Sequence, residues 1–415
     1  MYCPPLIEPR CGCLCQGMPP SKVLSAFARP EYVNVQQTHG SVPDMAQTYH
    51  KSWGASYSAL HRREREDYVN GRGGRVLLFV VREGMWAERY SGGFADRMAS
   101  IISMLLVCIL TQTAFLLDWP GLSAAHQQGN GCIHWEYDAV DELERATLAV
   151  LPFRPAEVMA VSFPVQEQVL SRGRSRPLDA LLVHMTRAGR RLTVMRGARG
   201  ILQALLDGTV PGYASQLRAM GLHLNNTYSQ LFAYLFAPSP AVRNAFHEER
   251  RRLAQFPLGC VLVQIRAGDA AIIHGLRNTQ VTMALDRAMR CVSTLSGTGA
   301  AWYLMSDSTA IKEEAARRYG ARVITRAESA THYTTGYNGS ALVTLAGEMW
   351  IGSHCNGFVI SRSSGLGLQA AFRCKPALDA RRVRLVDFKR RKSSADADTC
   401  EEMNLEGLAR EWSGI

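Results

Sequence analysis

The chain has 415 residues, 47% of them hydrophobic and 20% charged, a balance that suits a globular protein with more than one core and excludes a disordered one. Its formal net charge is +11, yet the basic residues fall in scattered clusters, around 61–65, 172–176, 187–191, 250–252 and 389–392. Such clusters suit a nucleotide-phosphate pocket or an anionic membrane surface; no nucleic-acid-binding motif accompanies them, so nucleic acid is not an expected partner.

Residues 1–74 are rich in Pro, Arg, Gln and Gly, without sustained periodicity, and read as a poorly ordered tail. No basic start leads into an apolar core there, so no signal peptide is readable. Residues 75–81 are continuously apolar and β-branched, the pattern of a buried parallel strand. A loop follows, and then residues 98–117 run without charge over membrane-spanning length. Thr111-Gln-Thr113 interrupts that run and Gly92-Gly93 precedes it, which favours a buried helix over about 96–110 and a strand over 114–118. A membrane-anchored protein using 98–117 is the competing reading. A more polar middle runs to about 191. Helical spacing returns over 200–207, 213–220 and 226–236, before Ala237-Pro-Ser-Pro240 makes a hinge.

The second half restarts the rhythm. Strands are expected at 259–265, 301–305, 321–325 and 357–361, alternating with helices over 279–295, 310–319, 341–355 and one opening at Gly365. The fold class is therefore α/β, with two Rossmann-like lobes and a cleft between them. The expected domains are 75–238 as an amino-terminal lobe and 239–385 as a carboxyl-terminal lobe, with 386–415 a tail or helix. The eleven cysteines include Cys11, Cys13 and Cys15, which lack a second cluster of zinc spacing; the interior ones read as small buried hydrophobes.

Ligands of open parallel sheets bind outside the carboxyl ends of the strands, and three such ends carry useful groups. Arg266, with Asp269 three residues on, could grip a phosphate with two donors, or form an Arg–Asp ion pair. Ser306 and Asp307 could accept hydrogen bonds from a ribose or base, while Ser308 would cap the next helix. Ser361, Ser363, Ser364 and Gly365 open a helix whose free amides and positive dipole end suit a phosphate.

These segments resemble the superfamily of α1,6-, nodulation, plant and protein O-fucosyltransferases, over about residues 76–373. Val263-Gln-Ile-Arg-Ala-Gly-Asp269 looks like the family's H-x-R-x-x-D segment, Tyr303-Leu-Met-Ser-Asp307 like its second motif, and Phe358-Val-Ile-Ser-Arg-Ser-Ser-Gly365 like its third. In the first half, Ser91-Gly-Gly-Phe-Ala-Asp-Arg97 resembles the glycine-rich loop that faces the donor. The resemblance implies a GT-B architecture, GDP-fucose as donor, no cofactor and no required metal, and inverting transfer to a glycan or glycoprotein. Arg266 is then the catalytic residue, and Gly92, Gly93, Asp96, Arg97, Gln264, Asp269, Ser306, Asp307, Ser361, Ser363, Ser364 and Gly365 bind the donor. It also implies work in the Golgi or endoplasmic reticulum lumen, with possible membrane association. Departures are Gln264 for a frequent His, Ala267 for a basic residue, Ala95 for a glycine and Leu366 for an aromatic. They motivate a competing expectation, a non-catalytic nucleotide-sugar-binding relative. Glu83 and Glu88 read as solvated carboxylates, His332 and His354 as structural, and no general base is identified.

Overall fold

Uninterrupted apolar runs make parallel strands here, because a strand covered by helices on both faces has no solvent side to mark with polar residues. Val76–Val80 (β1) is such a run, and all five residues are buried. It pairs in parallel with Ala114–Asp118 (β2) and with Leu192–Met195 (β5). Val158–Val161 (β4) lies beyond β5, giving the order β2-β1-β5-β4. This computed structural model describes residues 43–81 (side chains from 53), 93–137, 158–161, 192–195, 202–206, 213–268, 276–295, 299–327, 339–362, 364–373, 383–386, 400–404 and 407–408.

In the first half one expectation is corrected, that of a tail, and one is met, that of a buried helix followed by a strand over the apolar run. Within the segment read as a tail, Pro43–Val69 forms a 27-residue helix (α1). Trp53, Tyr57, Leu60 and His61 of α1 are buried. Its grip on the edge strand is polar as well as apolar: the Tyr57 hydroxyl donates to the Thr113 carbonyl at 3.0 Å, and His61 Nε2 meets the Phe115 carbonyl at 2.8 Å. A carbonyl can only accept, so that imidazole nitrogen carries a proton. The apolar run 98–117 belongs to a core helix, Phe94–Thr111 (α2), and to β2. Residue Gln112 takes a left-handed conformation (φ 54) that ends the helix. The helix has the length and hydropathy to cross a membrane, but 89% of it is buried inside the protein, which removes the basis for using this run as an anchor.

The second half holds a six-stranded sheet. Its strands are Cys260–Ile265 (β7), Ala301–Ser306 (β8), Val323–Ile324 (β9), Gly357–Ser361 (β10), Val383–Val386 (β11) and Glu401–Met403 (β12), in the order β12-β11-β10-β7-β8-β9. All pairings are parallel except that of β12 with β11. Counting from β7, this is the doubly wound order whose direction reverses between its first and fourth strands, here β7 and β10. Part of the segment expected as a carboxyl-terminal tail or helix thus supplies an edge strand.

Period-two alternation sends Val261, Val263 and Ile265 to one face, with Leu285, Ala288 and Val292 of Asn278–Leu295 (α5) and Ile311 of Thr309–Tyr319 (α6). On the other face Cys260 and Leu262 join Met349 of Gly339–Gly352 (α7) and Leu368 of Gly365–Arg373 (α8). The same core takes in Met98 and Leu105 of α2 and Phe232 of Thr227–Leu235 (α3), so helices of both halves share it. The expected hinge is a firm join. Phe236–Pro238 (β6) pairs antiparallel with His126–Gln128 (β3), and Ser239 caps Pro240–Ala245 (α4) while donating to the Ala124 carbonyl at 2.5 Å. The cysteines do more than fill space: Cys260–Cys355 and Cys291–Cys400 are disulfides, the second tying the segment before β12 to α5.

Candidate functional site at the strand switch point

Strand register decides which side chains meet. Ile360 of β10 lies beside Gln264 of β7, and Ile265 lies beside Ser306 of β8. The residues just past these pairs, Arg266, Asp307 and Ser361, therefore emerge together at the carboxyl ends of three neighbouring strands. This is the switch point of the sheet, where ligands of doubly wound folds bind.

Hydrogen bonds knit that corner together. The Arg266 amide donates to Ser361 Oγ at 2.7 Å, and the same hydroxyl donates to the Gln264 carbonyl at 3.0 Å. The Ser361 amide reaches Gln264 Oε1 at 3.3 Å. From the other side, Asp307 accepts the Ala267 amide on Oδ1 at 2.7 Å and the Gly268 amide on Oδ2 at 3.1 Å. Residue Gly268 has φ 92, a conformation that costs glycine little and other residues much more. Residue Arg266 is half-buried. Of the expected site residues, the catalytic candidate Arg266 and the donor-binding candidates Gln264, Asp307 and Ser361 thus form one bonded group.

Next to it begins α8. The Ser364 amide donates to the Ser361 carbonyl at 2.9 Å, and the Leu368 amide to the Ser364 carbonyl at 3.2 Å. This sets Gly365 in the first turn, where amides lack intrahelical acceptors. The helix lies close on the sheet because Gly367 has no side chain: a Cβ there would sit 2.7 Å from Ile360 Cγ2 and 3.1 Å from Gln264 Cβ.

The described part of the glycine-rich segment, from Gly93, leads into α2. Asp96 Oδ2 accepts the Gly93 amide at 2.9 Å, so this carboxylate caps its own helix. Buried Arg97 lies over the Trp119 ring, 5.8 Å from its centroid. The link between halves is Gln369, an α8 residue not expected in the site: fully buried, it donates from Nε2 to the Ala95 carbonyl in the first turn of α2. The first turn of α2 is thereby joined to the middle of α8. Ser306 instead serves a local turn, accepting the Ser308 amide at 3.2 Å, and Ser308 caps α6 as expected. Gly92, Asp269, Ser363, Glu83, Glu88 and His332 lie outside the described residues.

The chain has the fold of a protein already seen with a nucleotide bound. Arabidopsis thaliana FUT1, solved as a point mutant in complex with GDP, matches it with a TM-score of 0.61 at 13% identity, over 86% of this chain and 84% of the other. The two-lobed α/β architecture is accordingly GT-B-like. The fucosyltransferase NodZ from Bradyrhizobium is similar with a TM-score of 0.45 at 12% identity, over 77% of this chain and 97% of its own. For POFUT1 in complex with GDP the values are 0.40, 9%, 77% and 99%. No family model and no curated protein matches the chain.

One further polar feature escaped the sequence reading. Behind Asp307, Lys312 of α6 and Glu348 of α7 form an ion pair at 3.4 Å with both side chains 2% exposed. Burial raises the Glu348 pKa, with Lys312 opposing the rise. The His354 pKa is lowered to about 4, chiefly by burial. Its Nδ1–H donates to the Trp350 carbonyl at 2.7 Å, the structural role expected of it. Among the described residues, no three His, Cys, Asp or Glu side chains gather as metal ligands.

Proposed function

We propose that this chain is a glycosyltransferase that moves fucose from GDP-fucose to a hydroxyl of a glycan or protein. The observation that carries this reading is the bonded corner at the switch point. Arg266 stands fixed between β8 and β10, beside the first turn of a glycine-opened helix, in the fold that FUT1 shows with GDP bound. Such a corner suits a pyrophosphate, since a guanidinium and free helix amides both favour negative charge.

In the transfer, an acceptor oxygen forms a bond to the anomeric carbon as the bond from that carbon to the diphosphate breaks. The electron pair leaves on GDP and the acceptor proton passes to solvent or a base. Attack from the face opposite the leaving group inverts the anomeric centre. Charge develops on the departing diphosphate, so Arg266 and the amides near Gly365 act where the transition state is most demanding. No step draws on a metal. The two disulfides support placing the work in an oxidising lumen such as that of the Golgi or endoplasmic reticulum.

Purified protein should show a higher melting temperature with GDP or GDP-fucose, and should release GDP from GDP-fucose when supplied with acceptor. Arg266→Ala should keep its fold and lose turnover by about 30- to 1,000-fold, the equivalent of roughly 2–4 kcal/mol of transition-state stabilisation. No melting shift with either nucleotide would end the donor assignment. A second reading, a relative that binds nucleotide sugar without turnover, is favoured by Gln264. Its amide is buried and committed to Ser361, and it offers no titratable group where relatives are expected to have His. Binding without GDP release would establish that reading.

A further inference from the structure

We infer that Asp307 is a positioning residue for Arg266, holding the guanidinium's backbone in place through the amides of Ala267 and Gly268, and is not a nucleoside ligand. This rests on the donor reading above, and it reassigns the residue that the resemblance places near the nucleoside.

Both carboxylate oxygens are engaged, at 2.7 and 3.1 Å, with two consecutive amides immediately after Arg266. Bonds from backbone amides to a carboxylate are charge-assisted and short, and two parallel ones fix orientation as well as distance. On the other side, the Arg266 amide is held by Ser361 at 2.7 Å. Three consecutive amides, of residues 266, 267 and 268, are therefore held by side chains from the two strands that flank β7. The loop needs such a clamp, because past Ile265 the ladder no longer supplies partners and Gly268 turns the chain with φ 92.

Asp307 is itself braced. It stands between β8 and the cap of α6, where Ser306 accepts the Ser308 amide and Ser308 accepts the Ile311 amide. A carboxylate committed in this way can move little toward a ribose without releasing the loop that carries the phosphate-gripping residue. Its effect on a nucleotide should pass through Arg266 and should depend on the second phosphate.

The test is calorimetric titration of GDP and GMP into the wild type, Asp307→Asn, Arg266→Ala and the double variant, with amide hydrogen exchange on the same proteins and thermal denaturation to confirm folding. Asn keeps the shape but replaces one acceptor with a donor; Asp307→Ser serves if the Asn variant does not fold. Asp307→Asn should weaken GDP by about tenfold to a hundredfold, the scale of a hydrogen bond to a charged group. GMP binding should change by less than about threefold, and the double variant should bind GDP no more weakly than Arg266→Ala alone. Exchange at Ala267 and Gly268 should quicken. Equal losses for GMP and GDP, additive effects in the double variant, or unchanged exchange would each overturn the positioning role. If exchange quickens but wild-type protein binds no GDP, the clamp stands and the donor reading falls.

Discussion

Ser361→Ala separates a hydroxyl that builds the site from one that touches the ligand. The Ser361 hydroxyl has one proton, and it goes to the Gln264 carbonyl at 3.0 Å; one of its lone pairs takes the Arg266 amide at 2.7 Å. It has no proton left to donate to a phosphate. Removing the oxygen strands one amide and one carbonyl at a buried position, while the bond from the Ser361 amide to Gln264 Oε1 survives. Two hydrogen bonds at roughly 1 kcal/mol each give a loss of about 2 kcal/mol. For a lobe-sized cooperative unit that is a fall in melting temperature on the order of 5 °C. Because the Arg266 backbone loses an anchor, GDP affinity should fall with stability, by about threefold to tenfold. Urea denaturation and GDP titration on the same samples measure both. A variant of full stability with weakened GDP binding would refute the reasoning, since the hydroxyl would then have been facing the ligand.

Burial lowers the pKa of His61 and of His354 to about 4 and that of His126 to about 3, from 6.5 in the unfolded chain. The folded state resists protonation while the unfolded state accepts it, so stability is full above pH 6.5 and is lost as pH falls toward 4, by up to about 3 kcal/mol per residue. A melting temperature that stayed flat between pH 7 and pH 4.5 would contradict this, and His126→Phe, which keeps the packing against Phe232 and Phe236, should reduce the acid loss. Lys312→Met should cost about 3–5 kcal/mol by leaving Glu348 as a buried carboxyl without its cation, whereas Lys312→Met with Glu348→Leu should recover most of that stability. Urea denaturation of the single and double variants decides it, a double variant as weak as the single one being the adverse result.

Strands β1, β2, β7, β8 and β10 were legible as mainly apolar runs, and β9 as a short one following a charged helix. Strands β4 and β5 escaped because each is four residues long and set in a polar stretch, with too few apolar positions to rise above it. Helix α1 escaped for a different reason. Its contact with β2 relies on the Tyr57 hydroxyl and the His61 ring, groups that read as surface residues until a partner carbonyl is known. The strand ends could be found from the strands, but the bonding partners of the residues there could not. Asp307 looks like a ligand in a linear motif, and only register shows its oxygens meeting amides 40 and 39 residues away. Residue Lys312, in a charged helix, reads as solvated, and its burial beside Glu348 appears only in the folded chain. Pairing Cys260 with Cys355 likewise depends on β7 and β10 being neighbours, which the doubly wound order provides.

The same reasoning explains why the central helix of the first half carries the hydropathy of a membrane span. Helix α2 packs on the β1–β2 side of its own sheet and against α3 and α8, and the short helix Leu202–Leu206 also touches it. A helix enclosed on all sides has no face on which charge is tolerated, so it becomes apolar all round. Its two charged residues, Asp96 and Arg97, are confined to the first turn, where the carboxylate accepts the Gly93 amide and the guanidinium lies over Trp119. That turn is also where Gln369 joins the two halves. The apolar body of α2 shares one core with helices of the second half, and its polar tip meets α8. Loosening the body would therefore move the glycine segment relative to α8, so core substitutions far down this helix should alter nucleotide affinity as well as stability.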